Sequence, residues 1–302
     1  MLMFDLIMLC CMLPVLGMEY VILRNQATCQ KGLLLGVTLP AGAADSDPAR
    51  TIAARFRREL KAVTLLCGAL AVPPVLARTT WVALTLWMLW LCLAMALPFL
   101  PFIRANRALR DCKRARQELT AGAKVAADED DAWIWGLFYY APQDPRTMVA
   151  KRVGIGTTVN LATAGGKALT AFAAGALALC LFIGPVLGIL DSRPTRLVIS
   201  GQTLTALHGG SEKYALPLDG ITDVQLRDAL PEASRTFGTG LDHYCQGDFY
   251  VTGEGSALFC LDPTAPVFLR VEAEGQVYWF TAETEEQTRA MARWLQQRQP
   301  GG

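Results

Sequence analysis

The residues best suited to chemistry in this 302-residue sequence are few and scattered. Its two histidines are His208 and His243, and His243 stands between Asp242 and Tyr244, two residues before Cys245. A Ser/His/Asp or Cys/His site assembles in space, so neighbours in sequence are weak grounds for one. His243-x-Cys245 offers two ligands, too few for a zinc or transition-metal centre. The nine cysteines are Cys10, Cys11, Cys29, Cys67, Cys92, Cys112, Cys180, Cys245 and Cys260, with no C-x-x-C spacing. Cys10, Cys11, Cys67, Cys92 and Cys180 lie in apolar runs and act there as small hydrophobes. An odd, scattered set is no disulfide framework, although Cys245 and Cys260 would come within bridging reach on flanking strands. Gly154-Ile155-Gly156 lacks the third glycine and the lysine of a phosphate loop. The expectation is a non-enzymatic protein, with no catalytic, cofactor-binding or metal residues and no cofactor.

Two groups of residues suit binding instead. The stretch from Phe237 to Gly247 is glycine-rich and loop-like. Phe237, Gly238, Gly240, His243 and Tyr244 are candidates for a binding loop, and a long hairpin connection is the plainer alternative. Arg104, Arg107, Arg110 and Arg114 recur every three or four residues, which puts them on one helix face. They are candidate lipid-headgroup contacts, and equally a topology signal. The aromatic cluster Trp133, Trp135, Phe138, Tyr139 and Tyr140 reads as an interfacial belt or small core rather than a ligand platform.

The elements that position these residues begin with the membrane. Hydrophobic residues make up 52% of the chain and charged ones 18%, against about 25% charged in soluble domains. Mean hydropathy is +0.29. The apolar excess is concentrated in four blocks. Residues 168–190 and 79–103 carry no charge, and each is long enough to cross a bilayer. Residues 58–77, with Pro73 and Pro74, pair with 79–103 as a hairpin turning at Arg78. The first block admits two readings, an uncleaved span over about 4–23 or a signal peptide. Asp5 in place of an early Lys or Arg, and the lack of a small-residue cleavage site, favour the span. Gly184 and Gly188 form a G-x-x-x-G that suits close helix contact.

Lys and Arg cluster in 24–61 and 104–116, so the positive-inside rule places both regions in the cytoplasm. Residues 191–302 then lie outside the cell. That segment is acidic, which disfavours anionic lipid and nucleic acid as its partners. The expected partners are the bilayer and a protein or envelope ligand, and the oligomeric state stays open.

Four regions follow. Residues 1–127 hold three spans and basic connections, including an amphipathic helix over about 48–60 that starts at Asp47-Pro48. Residues 128–167 form a small aromatic-rich cytoplasmic unit, and 168–190 the fourth span. In 191–302 the periodicity turns to strands, with hairpins at Gly201-Gln202 and Glu274-Gly275. A last helix, EEQTRAMARWLQQR, has Ala290, Met291, Trp294 and Leu295 on one face. About seven strands and a terminal helix describe a small β-barrel closed by a helix, the PH-like arrangement. The fold class expected is an α+β membrane protein of four (or three) transmembrane helices plus this barrel.

The stretches GVTLP (36–40), GLFYYAPQDPR and KRVGIGTTVN (136–160), and most of 191–302 carry a resemblance. The chain resembles a family of uncharacterised bacterial multi-pass membrane proteins with a C-terminal bacterial PH-like domain. It departs from that pattern at Thr157-Thr158, where an aromatic residue is expected. The family's motifs specify no chemistry, so no catalytic residue carries over. The resemblance implies a bacterial cell-membrane protein.

The function expected is a PH-like binding or sensory module held at the membrane. The alternative is a structural or immunity-type protein whose spans do the work, with a membrane enzyme third. Fold alone does not choose among them.

Overall fold

The computed structural model describes residues 2–40, 42–120 and 129–298. Among them, four helical segments are long and apolar enough to cross a membrane: Asp5–Asn25, Asp47–Leu76, Thr80–Arg116 and Ala164–Asp191. The chain divides into two compact units.

The first unit contains most of the helices. Helix α1 is Leu2–Asn25 and α2 is Asp47–Ala69. The amphipathic helix expected near 48–60 and the second span are therefore one rod. Ala49, Ala53, Phe56, Leu60 and Cys67 form its buried seam, at the three- and four-residue spacing of one helix face. The rod stops where Pro73 and Pro74 could not donate to Ala69 and Leu70. A short α3, Val72–Leu76, follows. Helix α4 is Thr80–Ala96, and after Leu97-Pro98 helix α5 runs from Phe99 to Thr120. Helix α6, Ala164–Asp191, begins in this unit and ends in the second.

Three hairpins lie in the unit's described connections. β1 (Leu33–Leu34) and β2 (Val37–Thr38) turn at Leu35-Gly36, while β3 (Trp133–Ile134) and β4 (Phe138–Tyr139) turn at Trp135-Gly136. Both turns have positive φ at their two central residues, the conformation of tight hairpins with glycine second. A third hairpin joins β5 (Met148–Ala150) to β6 (Thr157–Val159). One buried cluster links α1, the first hairpin, α2 and α5 through Leu23, Leu35, Val37, Phe56, Leu60 and Phe102. The 24–61 connection and α5 therefore share a core. A second cluster, with Leu16, Cys67, Trp87 and Trp90, packs α1, α2 and α4.

The second unit contains Thr79–Val82 and residues 183–302. Strands β7 (Thr195–Ser200), β8 (Thr203–His208) and β9 (Ser211–Pro217) make a three-stranded antiparallel sheet in that order. The other strands are β10 (Ile221–Arg227), β11 (Ala233–Gly240), β12 (Cys245–Val251), β13 (Gly255–Leu261), β14 (Phe268–Ala273) and β15 (Gln276–Phe280). They form a six-stranded sheet ordered β10-β14-β15-β13-β12-β11. Helix α7, Glu285–Gln296, closes the chain. Its first turn is capped by Thr284, whose hydroxyl accepts from the Gln287 amide.

The closed barrel expected here is not formed. Strands beyond the expected seven appear, and they divide between two sheets whose edges stay unpaired. The division falls at Pro217, which cannot donate to a ladder, and at the turn Leu218–Gly220 that follows it. Strand β15 then inserts between β14 and β13, parallel to β13, leaving β10 and β11 as outer edges. The six-stranded sheet buries both faces. One carries Tyr244, Cys260, Leu269, Val271 and Phe280 toward β8, β9 and α7. The other carries Phe249, Phe259, Phe268 and Trp279.

This alternation also decides the cysteine pair. Cys245 stands opposite Leu261, and Cys260 opposite Gln246. The two thiols therefore point to opposite faces, and both are free. Burial pushes the Cys245 thiol up to about 11 and the Cys260 thiol up to about 12.

Candidate functional site

The residues singled out between Phe237 and Tyr244 do not form one loop. Phe237, Gly238 and Gly240 belong to edge strand β11, and Phe237 is exposed. Gly238 faces Gly247 so closely that a Cβ at Gly238 would lie 2.1 Å from the Gln246 carbonyl oxygen. Glycine there serves the contact between backbones. Tyr244 is buried, with its ring stacked 3.5 Å from that of His208. His243 lines a polar cleft of about 480 Å³, where its Nδ1 lies 3.2 Å from Thr264 Oγ1 and 3.8 Å from Asp262 Oδ2. The Thr264 hydroxyl itself donates to Asp262 Oδ1 at 2.7 Å.

Within the second unit, the β11–β12 turn mounts the sheet on the first residues of α4 and the last of α6. Asp242 accepts the Thr80 amide at 2.6 Å and the Thr80 hydroxyl at 2.9 Å, satisfying the start of α4. The His243 amide donates to Asp191 Oδ1 at 2.7 Å, at the last residue of α6. His208 Nε2 lies 2.9 Å from the Leu190 carbonyl oxygen, one residue earlier. Burial holds the His208 ring below its ordinary value, against the opposing effect of the Leu190 carbonyl. Gly188 of the G-x-x-x-G lies against Trp81, where a Cβ would fall 2.7 Å from the indole. Its close contact is within this chain.

The second unit also has an open groove of about 640 Å³. One wall is β7, an outer strand that pairs with β8 alone. The other is the α7 face with Ala290, Met291 and Trp294. That helix was expected to bury Leu295 with these three. Leu295 enters the core with Ala292 and Thr288, and the other three face the groove. Leu197, Val198 and Ile199 line the strand side, and Arg196 pairs with Glu283 at 2.9 Å. An outer strand beside an apolar helix face can accept an extended segment through main-chain hydrogen bonds. The sequence marked β7 as a strand but gave no sign that it would be an edge.

In the first unit, all four arginines of the α5 face meet protein groups. Arg110 donates to the carbonyl oxygens of Asp130 at 2.7 Å and Trp133 at 2.6 Å. Arg107 stacks 5.0 Å over Trp135. Arg104 lies 4.0 Å from Glu59 and Arg114 3.6 Å from Asp131, and both arginine side chains stay largely exposed. Between them, Asn106 is fully buried and donates to the Leu35 carbonyl at 2.7 Å. A Cβ on Gly136 would lie 2.9 Å from Asn106 Nδ2 and 3.3 Å from Gly36 Cα. The two glycine turns thus meet back to back under one asparagine.

Asp130 is the charged centre of this region. Its carboxylate accepts from Lys113 at 2.7 Å, from Arg152, and from the Thr38 amide and hydroxyl at 3.2 and 3.0 Å. Burial would raise this carboxyl, but the bonds from Lys113, Arg152 and Thr38 outweigh it and hold it below the usual range. In the sequence Asp130 stands in the acidic run DEDD (128–131), with no local signal of its partners. Next to it, Asn160 ties Ala141 and the Asp144 carbonyl together, and Asp144 pairs with Arg146 at 2.7 Å. Among the described residues, no three His, Cys, Asp or Glu side chains are grouped to hold a metal.

Residues 142–167 match the model of a family of unknown function, DUF5808. The match starts at Pro142 and ends at Lys167, the fourth residue of α6, so it covers the Asp144–Asn160 segment and the β5–β6 hairpin. Comparison with curated proteins and with solved structures finds no match.

Proposed function

We propose that this chain is a non-enzymatic, multi-pass bacterial membrane protein whose C-terminal domain is a PH-like binding or sensory module. In this reading the module captures an extended peptide segment by strand addition along β7, against α7. The observation that carries it is the unpaired edge of β7 facing the Ala290, Met291 and Trp294 surface across the groove. The excess of Lys and Arg in 24–61 and 104–116 supports a cytoplasmic side for those connections and an extracytoplasmic module. Exposed Phe237 and His243 are further candidate contacts for a partner, and Arg104 and Arg114 for lipid headgroups.

The test is selection from a displayed peptide library on the full chain in nanodiscs, with Ala290→Trp as the counter-target. Peptides that bind the natural chain and lose at least tenfold in affinity on Ala290→Trp support strand addition. Selected peptides that bind both proteins equally, or no enrichment at all, contradict it.

A second reading has its own support. The DUF5808 match falls in the first unit, around the β5–β6 hairpin, and not in the sheet domain. That favours a structural or immunity-type role in which the spans and their connections act. Removing 192–302 separates the two: retained function favours the spans, and lost function favours the module.

A further inference from the structure

The inner seam of α1 is not purely apolar. Asp5, Leu16, Glu19 and Leu23 are its buried residues, spaced so that they fall along one face. Both acids lie within the span of about 4–23. Asp5 accepts from Trp87 Nε1 at 3.3 Å. Glu19 is 7% exposed, and neither carboxyl oxygen has a hydrogen-bond partner among the described residues. The same holds for the buried hydroxyl of Thr64 on α2. Cys67, one helical turn beyond Thr64, lies within electrostatic reach of Glu19 and is buried against Leu16, Trp87 and Trp90. Trp90 occupies the Cys67 carbonyl, which the end of α2 leaves open, with an indole N–H at 2.7 Å.

An ionised carboxylate in a membrane interior needs a cation or several donors. Among the described residues no cation pairs with Glu19. On α2 the titratable neighbour is Cys67, α3 (VPPVL) carries no titratable group, and α4 brings Trp87 and Trp90. Arg152, in the connection that packs beside α1, is engaged with Asp130.

We propose that Glu19 is a proton-binding site inside the span bundle, holding its proton at neutral pH and releasing it only when α1 shifts from α2. A neutral carboxyl can sit in the α1–α2 seam. A charged one must reach water, and the shift that lets it do so uncovers Cys67. Proton occupancy and helix packing are then two readings of one equilibrium.

The test uses the full chain in nanodiscs and infrared difference spectra, natural chain minus Glu19→Gln, at neutral pH. The expected result is the carbonyl stretch of a protonated carboxylic acid, present in the natural chain, absent from Glu19→Gln and retained in Asp5→Asn. Carboxylate stretches in its place overturn the proposal, including those of a carboxylate paired with a bound metal cation. Should Glu19→Gln fail to fold, Glu19→Asp serves: a shifted acid band supports the site and an unshifted one overturns it. In parallel, alkylation of Cys67, mapped by mass spectrometry as pH rises, should increase more steeply in the natural chain than in Glu19→Gln. Equal slopes overturn the coupling to helix packing.

Discussion

Asp242 caps a helix remote from it in sequence: its carboxylate takes both the amide and the hydroxyl of Thr80, at 2.6 and 2.9 Å. The first turn of a helix has amides with no partner inside the helix. Here one of them is satisfied by a turn of the sheet domain, where a side chain just upstream commonly serves. The β11–β12 turn is therefore a joint within the second unit, between the sheet and the first residues of α4, which is why its residues looked like a binding loop in sequence. Glycines and a carboxylate in an irregular stretch serve either purpose.

Replacing the cap should loosen the joint. Asp242→Ala is expected to cost about 1 kcal/mol, the usual worth of a capping side chain. The measurement is the thermal midpoint in detergent, with Asp242→Asn, which keeps an acceptor oxygen, falling between Ala and the natural residue. An unchanged midpoint for Asp242→Ala would remove the cap from this account.

The His208 contact gives the same joint a pH dependence. The folded ring is held below its ordinary value of 6.5 by burial. The unfolded chain therefore binds the proton more readily, and stability should fall as pH drops below about 6.5. Above that value the contribution of His208 is complete. His208→Gln should flatten the slope of stability against pH on the acid side. An identical slope in both proteins would contradict it.

Asp130 should matter strongly to the stability of the first unit. Its side chain is 4% exposed, and those of Lys113 and Arg152 are 9% and 10% exposed. Asp130→Ala removes the carboxylate shared by two buried cations, and breaking such a cluster costs roughly 3–5 kcal/mol. Because the folded carboxyl lies below its ordinary value of 3.8, its contribution is complete above that pH and lost as pH falls through and beneath it. The check is the yield of folded protein by size-exclusion chromatography for Asp130→Ala beside Asp131→Ala, whose exposed pair should matter little. Similar yields for the two variants would argue against a central role for Asp130.

Much of this fold could be read in the sequence because its signals are local. Charge-free runs marked 79–103 and 168–190, and Glu274-Gly275 turns as its residue types require, with positive φ at both. What could not be read depends on distant partners. The three- and four-residue spacing of Arg104, Arg107, Arg110 and Arg114 was plain, yet the groups that meet them, Glu59, Trp135, Asp130 and Asp131, lie in other elements. The barrel failed for a similar reason. Alternation marks a strand and its faces but not its neighbour, and nothing local announces that β15 will enter between β14 and β13. Nothing in the sequence marks Leu35-Gly36 and Trp135-Gly136 as partners, and only the fold brings the two turns together beneath Asn106.

That meeting is itself testable. Gly136 has a φ of +73°, and an added Cβ would press on Asn106 and on the Gly36 backbone. Gly136→Ala should destabilise by about 1–3 kcal/mol, as overpacking and strain do. Gly42→Ala, at similar φ but with open space around it, should cost less. Equal thermal midpoints for the two variants would contradict close packing at the paired turns.

The proposed topology, with the sheet domain on the opposite side of the membrane from the basic connections, rests on the distribution of Lys and Arg. The most direct measurement is labelling of single cysteines in intact cells with a membrane-impermeant maleimide, in a cysteine-free background. Ser256→Cys, exposed on β13, should label in intact cells, and Arg114→Cys on α5 only after permeabilisation. Labelling of both from the same side, or of Arg114→Cys alone in intact cells, would contradict it.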